Sequence, residues 1–123
     1  MSKFIQIVMF SILYALFNTL GAGIIKNELK KYQLITIEDY FFFLFRIKVI
    51  LSFTIILISA LMMFKALSLG KFSIISPIAT GINFLFTILI GYFIFKENLT
   101  LYHFIGFILI FTGIFTISIA EIK

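Results

Sequence analysis

The distribution of charge constrains this chain more than any other feature of its sequence. No Asp, Glu, Lys or Arg lies between Lys3 and Lys26, and residues 49–64, 72–95 and 101–120 are equally free of these residues. A membrane-spanning α-helix needs about 20 mainly apolar residues, and each stretch with its flanks reaches that length. The sequence therefore predicts helices over about residues 4–25, 42–67, 72–95 and 101–120.

The composition excludes a water-soluble monomer. Hydrophobic residues make up 63% of the 123 residues and charged residues 12%, and a chain this short has too little interior to hide that apolar surface from water. A β-barrel is disfavoured because the uncharged run at 53–64 does not alternate apolar and polar positions. The predicted class is an all-α integral membrane protein with one four-helix transmembrane domain over residues 1–123.

The connections between the predicted helices differ in length. Residues 26–39 form the one long polar segment, which we expect to lie at the membrane interface, with Ile37 and the aromatic residues 41–43 dipping towards lipid. The links at 70–71 and 96–98 are short, and short links predict antiparallel neighbours.

Lys and Arg are divided unequally between the two predicted membrane sides. Four lie on the side of the termini and six on the other, namely Lys3, Lys65, Lys71 and Lys123 against Lys26, Lys30, Lys31, Arg46, Lys48 and Lys96. This bias weakly favours a cytoplasmic first link, and insertion in both orientations stays open. The net charge of +5 indicates contact with anionic lipid. We expect no nucleic acid partner, because the basic residues do not form one face.

Enzymatic chemistry is not expected. The chain has no cysteine, and no ionisable side chain lies in the middle of a predicted span, where such groups are costly and usually functional. His103 lies near the interface with no second ligand at metal-binding spacing, and a headgroup contact is its simpler interpretation. No metal or organic cofactor is implied.

Small and polar residues recur at helical spacing in two of the predicted spans. In the first span they are Ser11, Ala15, Asn18 and Ala22, and in the third they are Ser73, Ser76, Thr80, Asn83, Thr87 and Gly91. We expect both faces to point away from lipid, either as packing surfaces or as the lining of a cavity. The candidate substrate-binding residues are Asn18, Ser76, Thr80 and Asn83.

Two further features are candidates for binding. Arg46 and Lys48 lie in the first turns of the predicted second helix, where they either anchor the topology by snorkelling or hold a phosphate or carboxylate group. Gly106 and Gly113 are seven residues apart in the fourth helix, with Ala120 after another seven. Such a repeat favours close approach of a partner helix, so we expect a dimer interface there.

The order of residues in the second half resembles the drug/metabolite transporter superfamily. The resemblance covers residues 60–120 and rests on ALSLGKFSIISPI at 66–78, GYFIFKENLT at 91–100, and the glycines Gly106 and Gly113. A four-helix chain of this kind is similar to the small multidrug resistance branch and its EamA-like relatives. The resemblance implies a bacterial inner-membrane protein that works as a dimer through its last helix.

One departure from that family bears on mechanism. Multidrug members carry a glutamate in the first helix, and aligning Lys26 with the lysine that closes their first helix places Asn18 at that position. An amide does not take up and release a proton near neutral pH, so proton exchange by that group is lost. Paired subunits that flip undecaprenyl-phosphate-linked aminoarabinose are a second similar group, and their cargo suits basic residues at the membrane edge.

The sequence thus leads to one hypothesis with two alternatives. The chain is expected to be a transporter or flippase subunit for a small polar or lipid-linked substrate, as a homodimer or with a similar small membrane protein. The first alternative is a multidrug or metabolite exporter that obtains its carboxylate from a partner chain. The second is a structural subunit that transports nothing.

Overall fold

The computed structural model describes residues 2–122, with side chains from 2 to 120. Within that range the chain forms α1 (Lys3–Leu29), α2 (Ile37–Leu44), α3 (Ile47–Leu67), α4 (Phe72–Phe93) and α5 (Leu101–Ile122), with no strand. Helices α1, α3, α4 and α5 are long and apolar enough to cross a membrane, and α2 is not. The predictions of an all-helical fold and of four candidate membrane spans are confirmed. Lys123 lies outside the described residues.

The prediction of one continuous helix over 42–67 is wrong at its start. The chain leaves helical geometry at Arg46, whose backbone is extended at φ −70° and ψ 142°, and this residue separates α2 from α3. Arg46 is therefore the N-cap of α3 and does not lie in its first turn, whereas Lys48 does. The break lets the short α2 and the long α3 take different directions.

Helix α2 begins at a reciprocal cap. The Asp39 backbone N–H donates to Thr36 Oγ1 at 3.3 Å, and the Thr36 backbone N–H donates to Asp39 Oδ2 at 3.0 Å. The N–H of Ile35 donates to the same carboxylate, and these backbone hydrogen bonds, that of Thr36 first, lower the pKa of Asp39. Phe43 is buried, whereas Ile37, Phe41 and Phe42 are exposed. The apolar exposure fits the predicted interfacial segment.

Helix α1 lies between α3 and α4 and packs most extensively against α3. These two helices are antiparallel, since Ile7 of α1 packs beside Ala66 of α3 while Glu28 of α1 reaches Lys48. Both helices carry small residues that are fully or almost fully buried, namely Ser11, Ala15 and Gly21 of α1 and Ser52, Ser59 and Ala66 of α3. A β-carbon at Gly21 would lie 3.0 Å from the Ser52 carbonyl oxygen, so the backbones meet closely there.

At the end of the bundle where α3 ends and α4 begins, the three inner helices share an apolar cluster. Ile7, Ala66 and Ile75 are its buried members, and Phe10, Leu67 and Leu69 pack around them. Helices α3 and α4 make few contacts with each other elsewhere. They therefore diverge towards the opposite end.

Helix α5 packs chiefly against α4, where Gly81 leaves room for the side chain of Ile114. No α5 residue from 101 to 120 is buried. A β-carbon at Gly106 or at Gly113 would meet no other atom within 4 Å. The predicted dimer interface is thus an open surface in the single chain, and dimerisation stays a prediction.

Candidate functional site

Most of the charge of the described residues gathers at one end of the bundle. Helix α1 ends there, α3 begins there, and α4 ends there beside the link to α5. Six cations occupy this basic end, namely Lys26, Lys30, Lys31, Arg46, Lys48 and Lys96. They are the same six that the sequence assigned to one side of the membrane.

A groove opens over α1 at the basic end, between the start of α3 and the end of α4. Its volume is about 480 Å³, and it is mainly apolar, with the lining residues Thr19, Leu20, Gly23, Ile24, Asn27, Glu28, Lys48, Leu51, Ile90, Ile94 and Phe95. Leu20, Leu51 and Ile94 are exposed on the outer surface of the chain, so the groove opens towards the lipid side. Charged groups lie at its end and hydrocarbon lines its length.

Glu28 is the buried carboxylate of this site. The residue is 4% exposed, and its Oε1 lies 3.5 Å from the Nζ of Lys31 and 3.5 Å from the Nζ of Lys48. Sequence reasoning missed Glu28 because it ended the first helix near residue 25. A helix continued to Leu29 would have placed Glu28 two turns beyond Gly21 on the face that packs against α3.

Arg46 is held by Tyr32. The guanidinium carbon lies 3.5 Å from the centre of the Tyr32 ring, and Nη1 donates a hydrogen bond to the phenol oxygen at 2.5 Å. Such stacking orients the planar guanidinium and leaves its other N–H groups available. A second cavity of about 320 Å³ adjoins these groups, and we call it the Glu28 cavity, with the lining residues Glu28, Lys31, Tyr32, Arg46, Ile47 and Lys48.

The link between α4 and α5 folds back over the end of α4. Lys96 takes a left-handed conformation with φ 53°, and the N–H of Glu97 donates to the Gly91 carbonyl at 3.0 Å. The Glu97 carboxylate then pairs with Lys26 of α1. A β-carbon at Gly91 would lie 2.7 Å from this carboxylate, so glycine makes room for the link.

Phe95 lines both the groove and a smaller cavity beside the link. Its ring lies under two ammonium groups, with Nζ of Lys26 and of Lys30 at 4.9 Å and 4.4 Å from the centroid. The cavity has a volume of about 150 Å³ and is lined in part by Lys26 and Glu97. The ion pair and the stacked ring tie α1 to the end of α4.

Two of the predicted binding residues form a direct contact. Asn18 Nδ2 donates to Asn83 Oδ1 at 2.9 Å, which links α1 to α4 far from both helix ends. Ser76 is half-buried and Thr80 is exposed. None of these four residues lines the groove or the two smaller cavities beside it.

The sequence-predicted cations reach the site in different ways. Lys48 lines both the groove and the Glu28 cavity, and Arg46 lines the cavity alone. The arrangement is suited to an amphiphile, because an apolar chain matches the groove and an anionic group matches the basic end. Among residues 2–122, no group of three or more His, Cys, Asp or Glu side chains lies close enough to hold a metal ion.

Comparison of the chain with known protein families, with curated proteins and with solved structures gives no match. The resemblance to the drug/metabolite transporter superfamily therefore rests on the sequence motifs alone.

Proposed function

We propose that this chain is a transporter or flippase subunit that moves a lipid-linked polar substrate, such as a polyprenyl phosphosugar, across the bacterial inner membrane. The groove of about 480 Å³ between α1, α3 and α4 is the observation that carries the proposal. Its volume lies within the range of about 300–1,000 Å³ that is usual for small-molecule sites. Its opening on the lipid side lets a long hydrocarbon tail remain in the bilayer.

The basic end supplies the anionic part of the recognition. Lys48 reaches both the groove and the Glu28 cavity, and Arg46 presents a guanidinium already oriented by Tyr32. An oriented guanidinium can hold two oxygens of a phosphate at once. In this role Arg46 and Lys48 hold the substrate's phosphate at the membrane interface.

In this proposal, the polar residues of the inner helices bind the substrate's head group after it leaves the membrane interface. The Asn18–Asn83 hydrogen bond leaves Asn18 Oδ1 and Asn83 Nδ2 free to bind a sugar hydroxyl. Thr80 lies about one turn from Asn83 and is exposed, and Ser76 lies one further turn away. These groups provide hydrogen bonds across a bilayer interior that otherwise offers none.

The working unit in this proposal contains two chains. A single chain leaves the α5 glycines open, and its groove lies on its outer surface. A second copy, or a similar small membrane protein, that packs on Gly106 and Gly113 completes the pathway. Any proton coupling comes from outside this pathway, because Asn18 cannot exchange a proton near neutral pH.

Transport by reconstituted protein tests the proposal. Liposomes that contain the protein and a fluorescent polyprenyl phosphosugar are treated with an impermeant quencher, and the rate of flipping is read from the loss of fluorescence. We expect Arg46→Ala with Lys48→Ala to slow flipping by about tenfold or more, since charge-assisted hydrogen bonds are lost. Lys65→Ala with Lys71→Ala, which removes two cations at the opposite end, is the matched control. Equal rates for the two double variants contradict the proposal.

A non-transporting structural subunit is the second candidate function. The Asn18–Asn83 hydrogen bond favours it, because it uses both amides for packing between helices of one chain. Absence of flipping by the wild-type protein, in liposomes where it remains folded, supports this second function and removes the first for a working unit of two identical chains.

A further inference from the structure

The charges around the Glu28 cavity are unequal. Lys31, Arg46 and Lys48 face it with three positive charges, and Glu28 supplies one negative charge. Arg46 donates one of its N–H groups to the phenol oxygen of Tyr32. The cavity therefore carries an excess of positive charge that the described residues do not neutralise.

Glu28 lies between two cations, Lys31 and Lys48. One oxygen, Oε1, lies 3.5 Å from both ammonium groups, which is longer than the 2.7–2.9 Å of a close charge-assisted hydrogen bond. Both lysine side chains are at least half exposed, whereas the glutamate side chain is 5% exposed. The two cations thus reach the surface, and the carboxylate lies in the interior.

The start of α3 adds donors to the same cavity. Arg46 is the N-cap of α3, and its side chain makes no capping hydrogen bond to the first turn of this helix. Ile47 and Lys48, the first two helical residues, both line the cavity. Unsatisfied N–H groups and the helix dipole favour an anion at such a position.

We propose that the Glu28 cavity binds the phosphate oxyanion of a lipid headgroup, and that Glu28 is a resident counter-ion that competes with this phosphate for Lys31 and Lys48. An incoming ammonium would approach three cations to reach one carboxylate that they already surround, so the charges favour an anion. The inference rests on the proposed function for the choice of ligand, a phosphate-bearing lipid. It adds Lys31 and Tyr32 to the anion site and assigns to Glu28 a role in setting its affinity.

The test measures lipid binding by native mass spectrometry of the full chain in detergent micelles. The probes are dioctanoyl phosphatidate, dioctanoyl phosphatidylethanolamine and inorganic phosphate. We expect wild-type protein to prefer phosphatidate, and Glu28→Gln to bind it about fivefold more tightly because the competing ion pairs with Lys31 and Lys48 are removed. Lys31→Gln and Lys48→Gln are each expected to bind about tenfold more weakly.

Glu97→Gln is the matched control, since it removes the other carboxylate that pairs with a lysine at the basic end. Its affinity for phosphatidate is expected to equal that of the wild type. Equal or weaker binding by Glu28→Gln overturns the role of Glu28 as a counter-ion. Preference of the wild type for the ethanolamine lipid, lost in Glu28→Gln, overturns the oxyanion site in favour of an ammonium site.

Two further outcomes are informative. Inorganic phosphate that binds as tightly as phosphatidate supports the oxyanion site with free phosphate as its ligand, whereas binding of phosphatidate alone supports the headgroup. If circular dichroism shows that Glu28→Gln does not fold, Lys31→Gln decides, and unchanged phosphatidate binding by that variant overturns the site. Flipping without phosphatidate binding overturns this inference alone, and binding without flipping overturns the proposed function alone.

Discussion

Two helices of this chain carry the same seven-residue repeat of small residues, with opposite outcomes. The α3 repeat consists of Ser52, Ser59 and Ala66, each at most 1% exposed. The α5 repeat consists of Gly106, Gly113 and Ala120, none of which is buried. One spacing thus marks an interface within the chain in one helix and an open surface in the other.

The facing helices explain the difference. Helix α1 meets the α3 repeat at Gly21, where a β-carbon would lie 3.0 Å from the Ser52 carbonyl oxygen, and at Ile7, which packs beside Ala66. Helix α4 meets α5 at Gly81, which leaves room for Ile114, and Phe86 of α4 lines an apolar cavity with Phe107 and Phe111 of α5. Bulky α5 side chains therefore face α4, and the α5 glycines are left open.

Filling the α3 repeat is expected to give the largest effect. Ser59→Leu adds volume at a site that is 1% exposed, and overpacking of this kind costs about 1–3 kcal/mol. Titration of detergent-solubilised protein with SDS, followed by circular dichroism, measures the free energy of unfolding. Gly113→Leu is the control, because a β-carbon there would meet no neighbouring helix atom within 4 Å. Equal stability of the two variants would remove the distinction between the repeats.

Filling the α5 repeat is expected to change association and not folding. If a second copy packs on Gly106 and Gly113, Gly113→Leu weakens self-association by about tenfold or more, since close helix approach is blocked. The chain has no cysteine, so a single cysteine introduced at Ser2 provides a unique label for energy transfer between copies in liposomes. Phe115→Leu, on a different face of α5, serves as the comparison. Energy transfer that is the same in all three proteins excludes the α5 repeat as an interface.

Loosening α2 is expected to give the smallest effect, because α2 belongs to neither repeat. Backbone hydrogen bonds from Thr36 and Ile35 lower the pKa of Asp39, so the ionised carboxylate stabilises this cap. Because the pKa of Asp39 is lower in the folded chain, its ionised carboxylate stabilises the folded state fully at pH values above the unfolded pKa of about 3.9. This stabilisation is lost as the pH falls through the lower, folded pKa. Hydrogen exchange of α2 amides should quicken below about pH 4, with α3 and α5 unchanged. Asp39→Asn should abolish this pH dependence, and a matching response in α3 would show that the cap acts beyond α2.

The sequence predicted more of the fold than of the site. The long uncharged segments located the candidate spans, because an unpaired charge inside lipid is costly at any position in the chain. The sequence did not locate the helix break at Arg46, since the residues on both sides of it are apolar and do not indicate where one helix ends and the next begins. Nor did it find Glu28, which forms ion pairs with Lys31 and with Lys48, a residue of another helix.

By itself, the sequence determined that the chain has four helices apolar enough to cross a membrane and that six of its ten Lys and Arg residues belong to one end. Only the tertiary structure decided which of two identical spacings is buried, that Asn18 bonds Asn83, and where a groove opens. The physical reason is that apolar length is a property of a segment read alone. Close packing and ion pairing depend on what a second, distant segment presents at the same place.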